Sequence, residues 1–169
     1  MLKLVKVKLK VQLTHDSVAN AIKQLDTYTQ TFDKKVSRFL KRLAELGVEV
    51  ATATVHKDTG YLSSMIHFER KNKHTYMVVS DGEYALFVEF GTGVVGEGTY
   101  KGELPSWYTY NAMLTPQAHD KQDPTKWYYY DDYGRVRSTR GQVANNYMLA
   151  ASEKMKQQVV TIAKEVFND

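Results

Sequence analysis

Apolar and polar residues alternate strictly at the start of the chain. Val5, Val7, Leu9, Val11 and Leu13 fall on one face, and Lys6, Lys8, Lys10 and Gln12 fall on the other. A period of two with β-branched residues predicts a strand over residues 1–13, wet on one side. The period then changes. Val18, Ile22, Leu25, Phe32, Val36, Phe39, Leu43, Leu46 and Val50 recur at spacings of three, four or seven, and Thr29 fills the vacant register position. This predicts a long helix over 16–54, with Thr14 or Asp16 offering N-cap oxygens. Thr27-Tyr28-Thr29-Gln30-Thr31 is poor in helix formers, so a break near 27–31 stays open, and Gly47 is a second weak point. Unbroken, the helix would be about 58 Å long. That exceeds a compact domain of this size, so part of it is expected to pack on a partner chain.

Beyond the turn Asp58-Thr59-Gly60, two strand-like runs cover 61–69 and 75–80, with Arg70-Lys71-Asn72-Lys73 as the loop of a hairpin. Residues 83–90 are apolar and read as strand or short helix. Residues 94–126 show no period and contain all three prolines, which predicts a long loop. Trp127-Tyr128-Tyr129-Tyr130, the turn 131–134 and residues 135–139 read as a second hairpin. Asn145 or Asn146 offers a cap for a last helix over 145–167, whose stripe is Tyr147, Met148, Ala151, Met155, Val159, Ile162 and Val166. The expected architecture is a single α+β domain over 1–169. An antiparallel sheet, with its loop region at 61–139, packs against the long N-terminal helix and the C-terminal helix.

Composition narrows the chemistry. The chain has 169 residues, 43% of them hydrophobic and 25% charged, and no cysteine. Disulfides, thiolate catalysis and cysteinyl metal sites are excluded. No apolar run approaches the ~20 residues of a membrane-spanning helix. The net charge of +4 is local, because Lys3, Lys6, Lys8 and Lys10 face no acid within the first 13 residues. The remainder is formally neutral, so a nucleic-acid reading rests on one strand face.

Three motifs invite catalytic or ligand readings. Gly91-Thr92-Gly93-Val94-Val95-Gly96 matches G-x-G-x-x-G, but the residues that follow will not start a helix to hold a phosphate, so a backbone-rich turn is the simpler reading. Asp58 with Glu69 and Lys71 mimics the spacing of metal-dependent nucleases, although the last two sit where a hairpin turns. The histidines, His15, His56, His67, His74 and His119, form no ligand spacing. No cofactor and no metal is expected. The least ordinary feature is aromatic. Both tryptophans and seven of the twelve tyrosines lie between Tyr100 and Tyr133. Acids outnumber lysines there, which favours a protein interface through Trp107, Tyr108, Tyr110, Trp127, Tyr128, Tyr129 and Tyr130 over base stacking. A local aromatic core under the loop is the bland alternative.

Asp58-Thr59-Gly60-Tyr61-Leu62-x-Ser64-x-Ile66, followed by Tyr84-Ala85-x-x-Val88-Glu89-Phe90-Gly91-Thr92-Gly93, resembles the small neck or tail-completion (head–tail joining) proteins of long-tailed phages and prophages. Trp127-Tyr128-Tyr129, Gly134 and Gly141-Gln142-x-Ala144 before a C-terminal helix extend the resemblance over about residues 36–165. Asn145-Asn146-Tyr147 departs from the prolines expected at the start of that helix. The resemblance implies a non-enzymatic virion protein, assembled in the bacterial host's cytoplasm. It would form a ring that contacts head-connector and tail proteins, with DNA contact allowed but not required and no membrane. It also assigns a structural role to Thr59, Gly60, Leu62, Tyr84, Ala85, Val88, Glu89, Phe90, Gly91, Thr92 and Gly93. Within an apolar run, Glu89 is expected to accept backbone N–H groups or to pair with a cation. A nucleic-acid accessory protein using Lys6, Lys8 and Lys10, and a small metal nuclease, remain as alternatives.

Overall fold

The computed structural model describes residues 12, 14–56, 60–109, 120–131 and 133–168. The predicted basic strand, with Lys6, Lys8 and Lys10, lies outside them, as do Asp58, Thr59, Tyr110 and His119. The described residues form an α+β fold. Helix α1 (His15–Thr54) leads to a single turn α2 (Tyr61–Ser64), then to strands β1 (Ile66–Asn72) and β2 (Thr75–Ser80). Two short helices follow, α3 (Ala85–Phe90) and α4 (Gly93–Gly96). Strands β3 (Trp127–Tyr130) and β4 (Val136–Thr139) precede the last helix, α5 (Tyr147–Phe167).

Helix α1 is continuous over 40 residues, or about 60 Å. Thr14 caps it by accepting the Ser17 N–H, and the Ser17 hydroxyl accepts the Gln12 N–H in return. The break left open at 27–31 does not occur. The hydroxyls of Thr27, Thr29 and Thr31 donate to the carbonyls of Lys23, Leu25 and Thr27, each four residues back. These bonds keep the threonine side chains within the helix. Gly47 does not break it either. It is buried where α1 meets α5, and a Cβ there would lie 2.7 Å from Met155 Sδ. The missing side chain lets the helices approach closely.

α5 packs antiparallel along the C-terminal half of α1. Its first turn reaches Ala51 and Val55, while Phe167 at its far end packs at a tilt against Phe32 and Phe39 with ring centroids 5.8 and 6.0 Å apart. Arg42 and Glu165 form a 2.6 Å ion pair across the contact. The core is Ala51, Val55, Leu62, Ile66, Ala85, Tyr147 and Ala151, with Val48, Val50, Val78, Val88 and Met148 packed against it. Tyr147 is buried and donates its hydroxyl to Ser80 Oγ at 2.9 Å, so its one polar atom is satisfied.

There are two small sheets among the described residues, where the sequence predicts one. Antiparallel β1 and β2 lie on α1, tied by the Ser37–Tyr76 hydroxyl contact and by Lys73 on Asp33. Antiparallel β3 and β4 form a separate hairpin. Two local readings need correction. Tyr61–Ser64 is a helical turn and not strand, because the hydroxyls of Ser63 and Ser64 bond to the carbonyls of Gly60 and Tyr61. The first hairpin turns at Lys73-His74, with Asn72 Oδ1 accepting the His74 N–H, so Arg70 and Lys71 belong to the strand.

Candidate functional site

Residues 84–93 form helix α3 and the turn that leaves it. Glu89 is 4% exposed, the one buried charged residue among the described residues. Its two oxygens accept the backbone N–H groups of Met148 at 2.8 Å and Leu149 at 3.0 Å. Those donors are the orphan N–H groups in the first turn of α5. Asn146 holds the N-cap position at φ 61° but makes no side-chain cap. Its Oδ1 accepts the Lys101 N–H instead. The cap therefore comes from another helix, 59 residues away in sequence. The main chain adds to this link, with Asn145 N–H on the Val88 carbonyl and Asn146 N–H on the Glu89 carbonyl.

Burial pushes the Glu89 carboxyl above its usual range, while the N–H groups of α5 and the Tyr100 hydroxyl pull against it. A group with a raised folded pKa stabilises most below its unfolded value, here 4.5, and loses that contribution as pH rises through the folded value. The stability advantage of the wild-type chain over Glu89→Gln should therefore shrink as pH is raised from 4 towards neutrality. Urea unfolding of both proteins across that range measures it. An advantage that grows with pH would mean that the hydrogen bonds outweigh desolvation.

The glycine turn is locked to the segment before α5. Thr92 and Gln142 exchange two backbone hydrogen bonds, 2.9 and 3.1 Å long, and Val95 N–H reaches the Arg140 carbonyl. A Cβ on Gly93 (φ 60°) would overlap the Arg140 carbonyl, and one on Gly141 (φ 109°) would overlap the Thr92 carbonyl. The Trp127 ring closes over Gly93 as well. The G-x-G-x-x-G backbone is thus filled by protein, with a helix before it where a phosphate loop has a strand.

The aromatic residues divide into two groups. Phe90 gathers Tyr100, Trp107 and Tyr108 edge-on, at centroid distances of 4.8, 6.4 and 4.8 Å. The Tyr108 hydroxyl donates to the Gly91 carbonyl. This is the local core that the bland reading anticipates, although Trp107 keeps much of its surface exposed. The second group is the β3–β4 hairpin. Trp127 faces the glycine turn, while Tyr128, Tyr129, Tyr130, Tyr133 and Val136 are exposed, Tyr130 and Tyr133 at 76% and 82%. Asp131 holds the turn, accepting the Arg135 N–H at 2.9 Å and the side chains of Arg135 and Arg137. Its carboxyl sits below the usual range, led by that backbone bond. Asp123, held down to about 2 by the Thr125 hydroxyl and the Arg140 guanidinium, pins the hairpin base. Asp120 does the same through Tyr128.

Of the other predicted site residues, Leu62, Ala85 and Phe90 are buried, Val88 is half-buried, and Tyr84 packs at a tilt against Tyr61 at the surface. Glu69 and Lys71 form an exposed 2.8 Å pair, which leaves that carboxylate already matched to a cation. His67 lies 3.6 Å from Glu69 and 3.7 Å from Asp81. Among the described residues no group of three or more His, Asp or Glu side chains is placed to hold a metal ion. No helix among them is long and apolar enough to cross a membrane. Sequence reasoning missed Asp123, Asp131 and Arg140 as hairpin anchors. Only the Asp131–Gly134 turn signal pointed towards them.

Residues 19–91, from the first turns of α1 to the glycine turn, match the family model described as "Bacteriophage HK97-gp10, putative tail-component". No curated protein and no solved structure matches the chain. The match supports a phage structural role and falls on the same stretch that carries most of the quoted motif.

Proposed function

We propose, from the tail-component match over residues 19–91, that the protein is a non-enzymatic subunit of the phage head–tail junction. It completes the tail by closing into a ring that joins the head connector to the tail. The observation that carries the assembly reading is the β3–β4 hairpin. A two-stranded hairpin is marginal by itself in water. This one is braced at its turn and base by ion pairs, yet it leaves Tyr129, Tyr130, Tyr133 and Val136 to solvent. Rigid tyrosines offer large contact area at low entropy cost, which suits a subunit interface. On this hairpin Arg135 and Arg137 are paired with Asp131, while the nucleic-acid alternative rests on Lys6, Lys8 and Lys10, which lie outside the described residues.

The paired substitution Tyr130→Ser and Tyr133→Ser tests this reading. Both side chains are largely solvated, so the unfolding free energy should change by no more than about 0.5 kcal/mol. Loss of two interface anchors at about 2 kcal/mol each should abolish ring formation and head–tail joining. Particle mass measurement and electron microscopy of complemented phage lysates read the result. Rings and joined particles at wild-type yield would remove the hairpin from the interface. Wild-type particles that lack the protein altogether would overturn the function.

A further inference from the structure

The N-terminal part of α1 extends beyond α5, from His15 to about Phe32, where Phe167 ends the covered stretch. The overhang spans roughly 27 Å. It carries five large apolar side chains, Val18, Ile22, Leu25, Tyr28 and Phe32, all between 41% and 55% exposed. They continue the same seam that α5 covers further along. Between Ser17 and Phe32 the charged residues are Lys23 and Asp26, whereas Asp33 to Arg42 carries six. A solvated helix face is normally charge-rich. The threonines at 27, 29 and 31 are weak helix formers, and no packed element of the described fold supports the helix around them.

The spacing of the five residues is four, three, three, four, symmetric about Leu25. An antiparallel second copy reproduces the pattern. Leu25 then meets Leu25 at the two-fold axis. Ile22 shares a layer with Tyr28 of the other copy, and Val18 shares one with Phe32. Each outer layer pairs a smaller side chain with an aromatic one, as interdigitation requires. The partner helix enters the seam where α5 leaves it, and its N-terminus points at the C-terminal end of α5, which is favourable for both helix dipoles.

We propose that two copies of the free protein pair through this overhang in an isologous, antiparallel contact centred on Leu25. The inference stands apart from the ring, which needs a heterologous contact on a different surface.

The chain has no cysteine, so a single introduced thiol reports geometry directly. At an interaxial distance of 8–10 Å, helices of about 2.3 Å radius bring two Leu25 Cα atoms within disulfide range. The purified Leu25→Cys protein should form a covalent dimer under mild oxidation. Val18→Cys alone should not, whereas a mixture of Val18→Cys and Phe32→Cys should cross-link. Leu25→Asp should convert a sedimenting dimer to monomer while α5 and the core stay folded, as judged by the unfolding transition. A chain that is monomeric across a concentration series overturns the proposal. So does Val18→Cys that cross-links to itself, or a dimer that survives Leu25→Asp. Phage joining separates this from the function proposed above. A monomeric chain that still joins heads to tails removes the pair alone, and a dimer with no place in the particle removes the function alone.

Discussion

Replacing Glu89 by alanine is expected to lower the unfolding free energy by about 3 kcal/mol, the largest loss from any charged residue among the described ones. The carboxylate accepts two N–H groups from α5 at 2.8 and 3.0 Å while 4% exposed. Alanine leaves both donors without their side-chain acceptor, beside a cleft lined by Leu86, Phe90 and Tyr100. Removing one partner of a buried hydrogen bond costs about 1–3 kcal/mol, since the other is left desolvated. Glu89→Gln separates shape from charge. It keeps one acceptor oxygen, and burial already disfavours the charge, so a loss of about 1 kcal/mol is expected. Urea midpoints of the three proteins, compared at equal slope, measure this ordering. Equal losses for alanine and glutamine would mean that charge, and not the two accepted N–H groups, holds α5 in place.

Gly141→Ala is expected to cost about 4 kcal/mol or more, because two penalties coincide. The residue sits at φ 109°, which side chains resist, and its Cβ would overlap the Thr92 carbonyl. That carbonyl already accepts the Gln142 N–H at 3.1 Å, so it cannot retreat without breaking the Thr92–Gln142 pair. Gly98 supplies the control. Its φ of 72° is also positive, but nothing lies within 4 Å of a Cβ built there. Gly98→Ala should cost only the conformational strain, about 1–2 kcal/mol. The difference between the two variants in thermal or urea unfolding isolates the close approach. Similar losses would show that the backbone bridge yields easily.

Much of the helical framework was legible because it repeats. The seam from Val18 to Val50 and the stripe from Tyr147 to Val166 announce themselves by period, and they became α1 and α5. Period alone could not say whether Thr27–Thr31 would break the helix. The threonine hydroxyls bond within it, an option that a propensity scale averages away. Nor could period separate Tyr61–Ser64 from the strand after it, since a four-residue turn is shorter than any helical repeat. The candidate site was half legible. An acid inside an apolar run signals a need for donors, and Glu89 finds them. Their address on α5 was hidden, because Asn146 looked like a sufficient local cap. Tertiary competition decided that point, as Lys101 claims the Asn146 oxygen. The hairpin anchors Asp123 and Arg140 are 17 residues apart, with no periodic relation to betray them.

The clasp of α5 on α1 has a kinetic side. Its tethers join residues far apart in sequence, Arg42 with Glu165 across 123 positions and Lys35 with Phe167 across 132. Contacts of such separation raise contact order and delay the rate-limiting closure of the chain. A nascent chain thus makes all of α1 long before α5 exists to cover half of its seam. Until α5 emerges, only α2 and the β1–β2 hairpin can cover part of that apolar stripe, and in this interval the chain is most exposed to aggregation or to capture by a chaperone.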